Sequence, residues 1–245
     1  MKLRFVLLTL GLALSAPLAA APSDYAGVIA DRTRQTENRA LDEGRMPAAV
    51  LDFSGIKRGD TVADWQAGEG YYTELLSRIV GPKGRVYGVF NVAFFKPDEW
   101  AKVSKGRPNV AVLAALPQAL QFAPGSLDAI FTHLTFHDLF LGTNRAGVAL
   151  PNPQGVLANW FAALKPGGVV IVADHAGPSG DITAIAKRLH RISANAVKAE
   201  MARDGFVFVA ESDVLHRSED GHETGVFDLS IRGHTDRILL KFNKS

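Results

Sequence analysis

The chain has 245 residues, 47% of them hydrophobic, with 27 Lys and Arg against 25 Asp and Glu and no cysteine. The balanced charge gives no electrostatic footprint for nucleic acid. The missing thiols exclude cysteine catalysis, cysteine-bound metal and a lipid-modified cysteine, while the length suits one α/β domain whose core needs no cross-links.

Lys2 and Arg4 precede an apolar run over residues 5–14, and small residues follow to Ala21. This is the physical type of a secretory signal peptide over residues 1–21. The apolar run is too short to span a bilayer. Its removal takes two basic residues and no acid. The mature chain is therefore expected in the periplasm or outside the cell, without stable membrane insertion. Residues 22–245 are expected to form one domain with a helical extension over 22–55.

Residues 24–45 are polar with sparse apolar positions and predict a surface helix. A second short helix follows over 46–54, closed by Gly55. Strands and helices then alternate. Strands are predicted over 61–65, 84–90, 109–113, 127–132 and 169–173, and the last two over 206–210 and 237–242. Helices are predicted over 70–80, 97–105, 152–164 and 182–203, the last broken near Ser193, which can cap a new helix. Residues 169–173 are continuously apolar, as strands buried on both faces are. The alternation implies a mostly parallel sheet. Residues 136–151 and 213–236 fit neither pattern, and long ordered loops in such folds tend to be functional.

The stretch DWQAGEGYYTELL, residues 64–76, joins a strand to a helix through glycines. Such a turn brings bare backbone close to a ligand at the positive end of the helix. Gly68 and Gly70 supply the close approach, and Asp64 can accept hydrogen bonds. With GPKGRVYGV, PGSLDAIFTHLTFHDL and LKPGGVVIVADH following in order, the chain resembles the class I S-adenosylmethionine-dependent methyltransferases. The C-terminal stretches HRISANAVKAEMARDGFVFVAESDVLHR and VFDLSIRGHTDRILLKF resemble a narrower group, the exported predicted methyltransferases of bacteria. The resemblance implies a Rossmann-like αβα sandwich with a seven-stranded, mostly parallel sheet whose last strand is antiparallel. It also implies S-adenosylmethionine as cofactor and a small-molecule substrate.

Three positions depart from that family. Gln66 stands where the first glycine of the turn falls. Phe90 and Asn91 stand where an acid binds the ribose, and Asn91 lacks the charge and paired acceptors of a carboxylate. Residues 113–117 carry no acid for the adenine side. The candidate cofactor-binding residues are Asp64, Gly68, Gly70, Tyr71 and Asn91, with Tyr71 or Tyr72 facing the pocket, where an aromatic ring favours a sulfonium.

Ligands in open α/β sheets bind beyond the carboxyl ends of the strands. His137 and Asp138 follow the fourth strand there, and Asp174 and His175 the fifth. These four are the candidate catalytic residues. His133 is expected to be structural, and His190 with Arg191 to act in a salt bridge or with an anion. His216, His222 and His234 lie in a polar segment and are expected to be solvated. A His and carboxylate set would suit zinc or iron, but no compact ligand motif such as H-E-x-x-H occurs and no metal is expected. The expected activity is methyl transfer from S-adenosylmethionine to a small molecule. The alternative is a non-catalytic periplasmic binding or accessory protein on the same fold, favoured by the missing acids together with export.

Overall fold

The computed structural model describes residues 25–143 and 152–245. The segment predicted as a signal peptide and residues 144–151 of the unassigned stretch lie outside the described residues.

The strands are β1 (Thr61–Trp65), β2 (Arg85–Asn91), β3 (Val110–Ala115), β4 (Leu127–His133), β5 (Leu164–His175), β6 (Phe206–Glu211) and β7 (Arg237–Lys244). They form one sheet in the order β3-β2-β1-β4-β5-β7-β6. Pairings among β1 to β5 are parallel. Only β7 is antiparallel to its neighbours, β5 and β6. The expected sheet is thus the observed one. The chain builds outward from β1 to β3, then returns to place β4 on the other side of β1. That reversal leaves a crevice beyond the carboxyl ends of β1 and β4, where such sheets take ligands.

Successive residues of β5 feed two cores. Val170 and Val172 join Trp65, Trp160, Phe136 and Phe242 on one face. Ile171 and Ala173 join Leu75, Leu76, Val50 and Leu239 on the other. The period of two along a strand covered on both sides explains the unbroken apolar run.

The N-terminal region differs from the expected single surface helix. It forms α1 (Tyr25–Ala30), α2 (Thr36–Arg39) and α3 (Asp42–Arg45), followed by α4 (Pro47–Ser54). Arg34 and Asn38 are buried there. The Arg34 guanidinium donates to both Asp42 carboxylate oxygens at 2.7 and 2.8 Å. The Asn38 carboxamide donates to Glu74 at 2.8 Å. Glu74 lies on the next helix, α5 (Tyr71–Val80), is fully buried and also accepts from Arg107 at 2.7 Å. Polarity signalled solvent in the sequence, but mutual pairing lets these groups be buried.

The remaining helices are α6 (Pro97–Ser104), α7 (Pro153–Ala163), α8 (Ile182–Leu189) and α9 (Ala194–Arg203). The break at Ser193 is as expected: its hydroxyl accepts from the Ala196 N–H at 3.2 Å and starts α9. The fully buried Arg191 pairs with Asp220 of the segment 213–236 at 2.8 Å and donates to two carbonyls. That arginine ties the long loop to the end of β5, so the salt-bridge reading of Arg191 holds. Among the described residues, no helix is long and apolar enough to cross a membrane.

Candidate functional site

The turn after β1 is made by three left-handed residues, Gln66 (φ 51°), Gly68 (φ 58°) and Gly70 (φ 81°). The two glycines do different work. A Cβ on Gly68 would meet nothing within 4 Å, so Gly68 borders open space. A Cβ on Gly70 would lie 2.8 Å from the Val103 side chain. Gly70 is therefore required for packing α5 against α6 and does not line the hollow described next.

That hollow, about 260 Å³, sits at the reversal point of the sheet. Its walls are Asp64, Gln66 and Gly68 from the turn, Tyr71 and Tyr72 from α5, His133 and Thr135 from the end of β4, and Arg45 from α3. Both tyrosines face it, where one was expected. Asp64 is 2% exposed and accepts from the Thr73 hydroxyl at 2.5 Å. Burial raises its pKa to about 7, against the opposing pull of Thr73 and Arg45. The Arg45 guanidinium stacks over the Tyr71 ring at 4.3 Å.

His133, expected to be structural, lines the hollow. Its ring lies 4.8 Å from that of Tyr72, and its buried Nε2 has no hydrogen-bond partner. Burial, then the positive charges of Arg45 and Arg237, hold the imidazole well below its usual pKa and therefore neutral.

The β2 tip is built differently. Phe90 packs edge-on against Phe95 and Trp100. Trp100 in turn fills the space over Gly88, where a Cβ would lie 2.6 Å from the indole. The Asn91 carboxamide accepts from the Ala93 N–H at 3.0 Å and caps a 3₁₀ turn over Val92–Phe94. Asn91 does not line the hollow, and its acceptor oxygen takes a local backbone donor.

A second group of residues lies at the ends of β4 and β5. The four candidate catalytic residues meet there, and none of them lines the hollow. His137 opens the 3₁₀ turn His137–Phe140. Its Nδ1 lies 2.8 Å from Asp174, and its Nε2 lies 3.2 Å from Asp138. Burial disfavours the charged ring, but Asp174 and Asp138 outweigh it and raise its pKa to about 10. Burial also disfavours the Asp174 carboxylate; His137 and His175 overcome this and lower its pKa. His175 bonds to the Thr235 hydroxyl at 2.8 Å, and burial depresses its pKa to about 3. His190 joins this group, its ring edge-on to His137 at 5.4 Å. Its sequence neighbourhood gave no hint of that. His216 and His222, expected to be solvated, both bond to Asp236, at 3.1 and 2.8 Å.

Residues 63–172 match the family described as a methyltransferase domain. This is the Rossmann-like methyltransferase fold. The matched stretch begins inside β1 and ends inside β5, so it holds the turn, the β2 tip and the residues after β4. The chain is 28% identical over 178 residues to a ubiquinone/menaquinone biosynthesis C-methyltransferase of Klebsiella pneumoniae, covering 70% of this chain and 66% of that protein. The chain thus spans slightly less than two thirds of the length of that relative. A SAM-dependent methyltransferase from Aquifex aeolicus superposes with a TM-score of 0.59 at 21% identity, over 91% of this chain and 99% of that one. The [4+2]-cyclase SpnF superposes with a TM-score of 0.58 at 16% identity, over 87% of this chain and 84% of that one. At these identities the superpositions establish the fold, and the site must carry the function.

Proposed function

We propose that this chain is an S-adenosylmethionine-dependent methyltransferase acting on a small molecule, and that it works outside the cytoplasm. The observation that carries the first part is the hollow at the β1 tip, with a carboxyl group and a guanidinium opening on the same space. That donor set matches the ammonium and carboxylate of an amino acid, which is the end of the cofactor that the family holds at this turn. Gly68 leaves room beside it. The aromatic faces of Tyr71 and Tyr72 suit a sulfonium. The residues present fit the methionine half of the cofactor. At the adenosine half, the β2 tip offers aromatic faces in place of an acid.

When bound, S-adenosylmethionine supplies an electrophilic methyl group. The chain's own residues then have these tasks. Asp64 takes the ammonium in its ionised form. Arg45 takes the carboxylate. The buried walls exclude water from the reacting atoms, and methyl transfer needs little beyond such alignment. His133, neutral and with Nε2 unpartnered, can hydrogen-bond an acceptor group that enters the hollow.

Calorimetric titration of the mature chain with S-adenosylmethionine tests this reading. One-to-one binding, lost in Asp64→Ala with the protein still folded, is the expected result. No heat at millimolar cofactor with folded protein rejects it. Fractionation of the native host, probing for the chain in the periplasm or medium, tests the export.

A further inference from the structure

We propose that His137, Asp138 and His190 form a site for a divalent transition metal, zinc or ferrous iron. One ligand atom of each lies within 4.8 Å of the other two. Tetrahedral zinc with bonds of about 2.0–2.1 Å holds its ligand atoms ~3.3 Å apart. His137 Nε2 and Asp138 Oδ1 already stand at 3.2 Å. His190 Nδ1 stands 3.9 Å from the same oxygen, somewhat beyond that spacing.

Asp174 prepares the first ligand. Its carboxylate is fully buried and accepts from His137 Nδ1 at 2.8 Å. Two backbone N–H groups, of His137 and His175, fix it at 2.7 Å each. A carboxylate on one imidazole nitrogen sets the tautomer that frees the other nitrogen for a metal, the usual arrangement behind metal-bound histidines. Here Nε2 faces Asp138, and a bound metal would take the place of the proton the two share.

His190 closes α8 in the left-handed region, at φ 54° and ψ 49°, as helix C-caps commonly do. Its imidazole stands edge-on to His137 and against Phe227, at 5.4 and 4.8 Å between ring centres. The 3₁₀ turn carrying His137 and Asp138 packs directly on α8.

Two imidazoles and one carboxylate, a borderline donor set, favour zinc or iron over magnesium or calcium. Three protein ligands leave a position for water or a substrate oxygen, as in sites that do chemistry. The side chains of Asp138 and His190 are 43% and 26% exposed, so that position is reachable from solvent. The site lies on the same sheet edge as the hollow, two residues beyond Thr135.

The test uses the mature chain dialysed against EDTA, then titrated with zinc by calorimetry and with cobalt by visible absorption. The expected result is one ion per chain and the absorption of low-coordinate cobalt. His190→Ala and Asp138→Asn, both at partly exposed positions, should each weaken zinc binding tenfold or more, with unchanged circular dichroism. Asp174→Asn should weaken it about 10–100-fold. His216→Ala, in the separate cluster around Asp236, should leave it unchanged. The proposal fails if folded wild type binds no stoichiometric zinc, leaving a His137 ion pair only. It also fails if His190→Ala and Asp138→Asn bind as wild type does, or if His216→Ala abolishes binding. None of these readouts depends on S-adenosylmethionine, so either reading can fall without the other.

Discussion

His137 engages Asp174 twice, through its ring Nδ1 at 2.8 Å and through its own backbone N–H at 2.7 Å. One carboxylate thereby fixes both the position of the 3₁₀ turn after β4 and the rotation of the ring that the turn carries. The pair also joins the ends of β4 and β5 at the sheet's carboxyl edge.

Removing the charge from that contact should be costly. Asp174→Ala leaves a buried imidazole without its partner and should destabilise the fold by about 3–5 kcal/mol. Urea denaturation followed by circular dichroism measures this. A loss below about 1 kcal/mol would show that the contact does not organise the strand ends.

His175 should make the protein acid-sensitive. Its folded pKa, about 3, lies below the value near 6.5 of an unfolded histidine. A depressed pKa contributes stability above the unfolded value, and that stability is lost as pH falls toward the folded value. The contribution of His175 should therefore fall from about pH 6.5 downward, with His133 acting in the same direction and Asp64, whose pKa is raised to about 7, against it. In His175→Gln the slope of stability against pH over this window should flatten. An unchanged slope would contradict the assignment.

Arg191 should hold the long loop in place. Its side chain is held by Asp220, the Thr224 carbonyl and the Ala176 carbonyl. Arg191→Met strands the Asp220 carboxylate and should cost about 3–5 kcal/mol. Limited proteolysis should show new cleavage within residues 213–236 while the sheet stays protected.

Gly88→Ala tests the wall at the β2 tip. Its new methyl would sit 2.6 and 2.7 Å from two atoms of the Trp100 ring, which is itself buried. Overpacking of this kind costs about 1–3 kcal/mol. The midpoint of thermal unfolding should fall, and tryptophan fluorescence should shift as the indole is displaced.

Cofactor affinity should follow the charge of Asp64. With a pKa of about 7 in the free protein, the carboxyl is largely protonated below neutrality and ionised above it. Binding of S-adenosylmethionine should tighten as pH rises from 6 to 8, since the ionised group accepts from the ammonium. Asp64→Asn should bind more weakly at pH 8 and lose this dependence. Calorimetry at several pH values reads both effects.

Much of the scaffold was legible in the chain itself. The strands and helices alternate with periods that a local window detects, Ser193 marks a helix start, and Gly55 ends one. Asp64, Gly68 and the tyrosines could be placed at a strand tip because a strand, a turn and a helix are neighbours in sequence. Gly70 and Asn91 were assigned to ligand binding on the same local grounds. The fold gave them other partners, Val103 and the Ala93 N–H. Val103 lies 33 residues from Gly70, so only the fold could reveal that contact, whereas the Asn91 cap is a local turn within two residues.

Local sequence determined which residues form strands, where the turns fall, and that ionisable groups gather beyond the strand ends. Tertiary structure alone decided which of them share a space. Arg45 reaches the hollow because α3 folds over the β1 turn. His133 lines it because β4 lies beside β1, although the two are separated in sequence by β2 and β3. His190 meets His137 because α8 packs against the turn after β4. Periodicity reports the face of one element, whereas convergence depends on strand order and on how distant elements cross, and a linear pattern carries no record of either.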